Sequence, residues 1–135
     1  MKQILDLDGF NTYMYQTTNE KTIIKIVLAC DIPKKENVEQ FLYFFKKHIL
    51  DIENFHLLLE CEDMPVYPLN FFNMISNTLT EEKERVQDNL NMTGIIVHSI
   101  MGKMMLDAFL RIYTPIRPLR IVKDENDFIN LESCN

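Results

Sequence analysis

The sequence predicts one mixed α/β sheet, an N-terminal antiparallel hairpin followed by βα repeats in the order ββα-βα-βα-βα. Two observations carry that prediction. Short runs read as strands: Thr22 to Cys30 is β-branched, Phe55 to Cys61 is nearly continuously apolar as in a strand buried on both faces, and Gly94 to His98 is another buried strand. Between them lie longer stretches with apolar residues at helical spacing, and strands alternating with helices imply parallel crossovers.

Element by element, Phe10 to Gln16 alternates weakly and is rich in aromatic and polar strand residues, and Thr17-Thr18-Asn19-Glu20 supplies the turn into Thr22 to Cys30. Asp8-Gly9 is an earlier turn signal, so Gln3 to Leu7 is a short leading strand or a frayed end. Asp31-Ile32-Pro33 stops the second hairpin strand. From Glu36 to Ile52, Val38, Phe41, Leu42, Phe45, Ile49 and Ile52 trace one helical face, with Lys34, Lys35, Lys46 and Lys47 forming its solvated side. Pro65 and Pro68 punctuate the loop after the Phe55 to Cys61 strand. A second helix starts at Leu69 or Asn70 and runs to about Leu90, divided near Thr78 to Lys83, where Thr80 resembles a fresh N-cap. A third helix, Ile100 to Tyr113, ends at Thr114-Pro115. Leu119 to Val122 is the last strand, and Asp124 to Asp127 caps a short helix through Leu131.

The 135 residues amount to one domain, 1–135, long enough to bury a core without metal or disulfide. A net charge of −6 excludes a general polyanion binder, so no nucleic-acid partner is expected. Cys30, Cys61 and Cys134 are odd in number and widely spaced, which suits free thiols in a reducing, cytoplasmic setting. No apolar run approaches the ~20 residues of a membrane span, so no integral membrane association is expected. Asn91-Met92-Thr93 fits a glycosylation sequon only formally without a secretory signal.

The order of elements resembles the SpoIIAA-like fold of the STAS domains and, more distantly, of CRAL-TRIO lipid-binding domains. Two stretches carry the likeness: Val27-Leu28-Ala29-Cys30-Asp31-Ile32-Pro33 leading to Val38-Glu39-Gln40-Phe41, and Gly94-Ile95-Ile96-Val97-His98 through Arg117-Pro118-Leu119-Arg120-Ile121-Val122. The resemblance implies a non-enzymatic regulatory or interaction domain, with a lipid or apolar-ligand carrier as the alternative. Phosphorylatable STAS switches carry a serine in the turn after the central strand. Here that turn reads Glu60-Cys61-Glu62-Asp63-Met64-Pro65-Val66-Tyr67-Pro68, with no serine.

Catalytic signals are sparse, and no enzyme and no cofactor are expected. Cys61 and His98, both at strand ends, are the conceivable nucleophile pair, but no glycine loop suited to an oxyanion hole accompanies them. Glu60, Glu62 and Asp63 offer oxygen ligands without the ordered ladder of a calcium loop. His48 and His56 have no ligand-spaced partner and read as packing groups, and Gly9, Gly94 and Gly102 make no phosphate cradle.

The unusual segment is the third helix. At 100° per residue its apolar sector spans roughly 240°, far wider than a one-sided surface helix needs. Met101, Met104, Met105, Ala108 and Ile112 are expected toward the sheet, with Lys103, Asp107 and Arg111 as a narrow polar stripe. Some of Leu106, Leu110 and Tyr113 should then face away, either covered by the Pro65–Pro68 loop or the last helix, or free to bind. The candidate binding residues are Met101, Leu106, Phe109, Leu110, Tyr113 and, in the neighbouring loop, Tyr67. The occupants expected there are a protein partner, a second copy of the chain, or a small apolar molecule or lipid.

Overall fold

The computed structural model describes residues 1–28, 31–61 and 67–131. Its six strands form one sheet in sequential order: β1 (Lys2–Leu5), β2 (Phe10–Gln16), β3 (Thr22–Leu28), β4 (Phe55–Cys61), β5 (Leu90–Val97) and β6 (Leu119–Val122). β2 runs antiparallel to both of its neighbours, β1 and β3, whereas β3 to β6 run parallel. The helices are α1 (Lys35–Phe44), α2 (Leu69–Glu81), α3 (Lys83–Asn89), α4 (Ile100–Ile112) and α5 (Glu125–Ile129).

Each parallel crossover steps the same way across the sheet. Right-handed connections then keep α1, α2 with α3, and α4 on one face. Side-chain packing agrees. Val38 and Phe41 of α1, Phe71 of α2 and Val86 of α3 share a core with Ile24, Ile26 and Leu57. Leu106 of α4 and Phe72 join Ile95 and Cys61 in an adjoining cluster. Alternation sends Ile23, Leu58, Met92, Ile96 and Val122 to the opposite face, where among the described residues α5 is the covering helix, through Phe128, with Tyr15 and Leu131 packed beside it.

Local chemistry explains the boundaries. Gly9 turns β1 into β2 with φ of 95°, a conformation that suits glycine, as the Asp8-Gly9 signal implies. Phe10 stacks on Phe41 at 4.5 Å and pins α1 across the hairpin. The helix expected from Glu36 to Ile52 is α1 followed by a π-helical turn, Phe45–Ile49, closed by Leu50 N–H donating to the Phe45 carbonyl at 3.0 Å. The wider turn lets Phe45, Ile49 and the following Leu50 all be buried. The long second helix does divide, but at Glu82 and with no side-chain cap, so Thr80 is not its N-cap. β5 begins at Leu90, four residues before Gly94, because Leu90 already pairs with Phe55. Ser99 and Asp124 cap α4 and α5, accepting from the Gly102 and Asp127 N–H at 3.0 and 2.7 Å. No helix among the described residues is long and apolar enough to cross a membrane.

Candidate functional site

Between the helix-covered face of the sheet and the roof made by α1, α2 and α4 lies a cavity of about 200 Å³. Strand alternation supplies its floor, with Leu59, Ile95 and Leu119 pointing up from three neighbouring strands. The roof is tied together by aromatic rings. Phe72 of α2 meets Phe109 of α4 edge-on at 5.7 Å, and Phe109 reaches Tyr113 at 5.5 Å. Tyr67 lies 6.3 Å from Phe72, and its backbone N–H approaches Met105 Sδ at 3.4 Å, binding the segment before α2 to α4.

Native interiors hold few voids larger than a water molecule. A pocket of about 200 Å³ between sheet and helices leaves apolar side chains without packing partners on one side, which weakens the contacts that hold α4 to the sheet. An engineered apolar cavity of roughly 150 Å³ stays dry and takes up benzene. The cavity here is larger and as apolar. Its polar lining side chains are few: Thr93, the Cys61 thiol, the Tyr67 and Tyr113 rings, and Arg117.

The structure divides the expected site residues. Tyr67, Leu106, Phe109 and Tyr113 line the cavity, whereas Met101 and Leu110 do not. α4 is rotated from the orientation expected: Met105 and Ala108 do pack toward the core, but Met101, Met104 and Ile112 do not. Leu106 and Tyr113 are each 8% exposed and face the core, while Met104 is 56% exposed and Met101 and Ile112 also reach solvent. Gly102 explains the rotation. A Cβ there would stand 3.0 Å from Val97 Cγ1, so the glycine lets this side of the helix approach the sheet closely. Gly102, Leu106, Phe109 and Tyr113 are spaced i, i+4, i+7 and i+11, one continuous stripe.

Cys61 and His98 are not brought together. Cys61 points into the helix-covered face, and burial, with the charge of Glu60, pushes its thiol up to about 11, leaving it neutral. Its neighbour Glu60 points to the other face, where His98 Nε2 lies 3.1 Å from Glu60 Oε2. Lys25 then bridges Glu60 at 3.3 Å and Glu125 at 2.7 Å, and the Tyr15 hydroxyl donates to the same Glu125. Burial works against the charges of both Glu60 and Lys25, but their partners outweigh it, lowering the Glu60 pKa and raising that of Lys25.

This ladder ties α5 to the sheet. Cys30, Cys134, Glu62, Asp63 and Pro65 lie outside the described residues. Among the described residues no cluster of three His, Cys, Asp or Glu side chains suits a metal ion. His48 packs on Phe44 at 5.0 Å, and His56 is buried edge-on to Phe128 at 6.3 Å, so both are packing groups. The basic first-helix face is solvated, with Lys35 4.0 Å from Glu39 and Lys47 over the Tyr43 ring.

No protein-family model matches the chain, and no curated protein matches its sequence. A solved structure does share the fold. It is the crystal structure of an uncharacterised protein from the DUF3478 family, with a SpoIIAA-like fold, from Shewanella loihica PV-4. The TM-score is 0.57, over 93% of this chain and 95% of that one, at 11% sequence identity. The chain therefore has a SpoIIAA-like fold, and at that identity the likeness speaks to the fold alone.

Proposed function

We propose that this protein is a non-enzymatic binding module for a small apolar molecule or lipid fragment, held between the sheet and α4. The observation that supports the reading is the cavity of about 200 Å³ with an almost wholly apolar wall. An apolar molecule that leaves water for this pocket removes apolar surface from solvent on both sides, and a ligand that binds only the folded state stabilises it. Tyr67, Leu106, Phe109 and Tyr113 are its binding residues in this reading.

Native mass spectrometry of the gently purified chain tests it. The expected spectrum is a monomer carrying a reproducible adduct of a few hundred daltons, diminished in Leu106→Phe, which narrows the cavity. A bare monomer that also fails to take up added apolar probes would overturn it.

A second reading has its own observation. Ile100, Met101, Met104 and Ile112 leave an apolar stripe on the outer side of α4, Ile100 being 82% exposed. Thioether side chains repack at low cost, which suits a protein-contact surface, here a second copy of the chain. A clean dimer that Met104→Asp converts to monomer is the result that would favour it.

A further inference from the structure

The cavity wall carries one charged side chain among the described residues, Arg117, and its placement narrows the ligand. Arg117 sits in the Thr114-Pro115-Ile116-Arg117-Pro118 connection that leads into β6. It is half-buried, and its Nε donates to the Leu90 carbonyl at 3.1 Å. That bond anchors the guanidinium across the starts of β5 and β6. Among the described residues its Nη atoms have no hydrogen-bond partner and form no ion pair with a carboxylate, in a chain whose net charge is −6.

No acidic side chain lines the cavity to compete for it. A planar guanidinium fixed at Nε keeps its Nη donors pre-organised for a carboxylate. Burying such a charge against an apolar wall is unfavourable until an anion meets it.

We infer that the ligand is an amphipathic carboxylic acid, a medium-chain or ring-bearing acid whose apolar body fills the cavity and whose carboxylate lies on Arg117. This rests on the binding reading above and specifies the charged end of the ligand. The polar end then sits where the parallel strands begin. Open α/β sheets more usually bind ligands at the carboxyl ends of their strands.

Octanoate and octanol share a chain length and differ in the head group, so their affinities, measured by calorimetry on the full chain, separate the two claims. Octanoate is expected to bind about tenfold more tightly than octanol, the difference that one charge-assisted contact supplies. Arg117→Gln should bring octanoate down to the level of octanol and leave octanol unchanged, while Arg117→Lys restores part of the preference.

Equal affinities in the wild type, or an equal loss of both probes in Arg117→Gln, would overturn the acid and leave the apolar site standing. Failure of both probes to bind, with no response to Leu106→Phe, would overturn the site itself. Should Arg117→Gln not fold, the wild type still decides. Octanoate affinity that falls with added salt while that of octanol holds supports the acid, and two flat salt profiles overturn it.

Discussion

Along β5, Thr93 and Ile95 stand on the wall of a cavity, while Gly94 and Ile96, one residue away, meet the helix that covers the other face. On that second face there is no slack. A Cβ on Gly94 would lie 2.3 Å from Phe128 Cδ1, so the ring occupies the space that any larger residue would need. Four crossover-derived helices roof the first face, and they leave a void; a five-residue helix covers the second, and it closes tightly. The amount of covering structure therefore does not set packing density. A single aromatic ring over a glycine packs more closely than the edge-on contact of Phe72 with Phe109 that joins α2 to α4.

The contrast can be broken most severely at Phe128, which is 1% exposed. Phe128→Ala should cost about 3–5 kcal/mol in chemical denaturation. Gly94→Ala follows, at about 1–3 kcal/mol from overpacking. In the Phe128→Ala background the same glycine change should be nearly neutral, and a double-mutant cycle that showed simple additivity would refute the close approach.

On the cavity side the sign inverts. Leu106→Phe adds volume where there is room and should stabilise the ligand-free chain by about 0.5–2 kcal/mol. A loss of stability there would mean that the void is already filled by side chains.

The pH dependence sharpens the same comparison, because the groups with the clearest acid-side effects lie on the tightly closed face. Burial, helped by the charge of Lys21, depresses the pKa of His56 below its ordinary 6.5. The folded chain binds that proton less readily than the unfolded one, so stability is full above about pH 6.5 and declines as pH falls below it. The Glu60 carboxyl, lowered from 4.5, adds a second acid-side loss that begins below about pH 4.5. His56→Leu should remove the first limb of a urea-midpoint profile against pH and leave the second. Glu60→Gln should do the reverse, at a cost of about 1 kcal/mol at neutral pH.

Much of this fold is legible in the sequence, because strand runs such as Phe55 to Cys61 and stop signals such as Thr114-Pro115 act locally. The rotation of α4 is not legible in the same way. A helix apolar over most of its circumference has no unique buried side, and Met101 and Met104 drew the prediction away from the buried stripe that Met105 borders. Gly102 held the missing information, since a small residue at i with Leu, Phe and Tyr at i+4, i+7 and i+11 marks the side that comes nearest the sheet. Arg117 escaped attention for a different reason. Its interest comes from the Leu90 carbonyl and the apolar wall around it, which sequence spacing does not bring together.

The most direct test is a methyl NMR titration of the wild-type chain with octanol, which reads both faces of the sheet at once. Binding in the cavity predicts saturable shifts at Leu59, Ile95 and Leu106, with Leu58, Ile96 and Val122 on the opposite face unmoved. Unshifted cavity methyls at probe concentrations near saturation, or shifts confined to the Phe128 face, would contradict it.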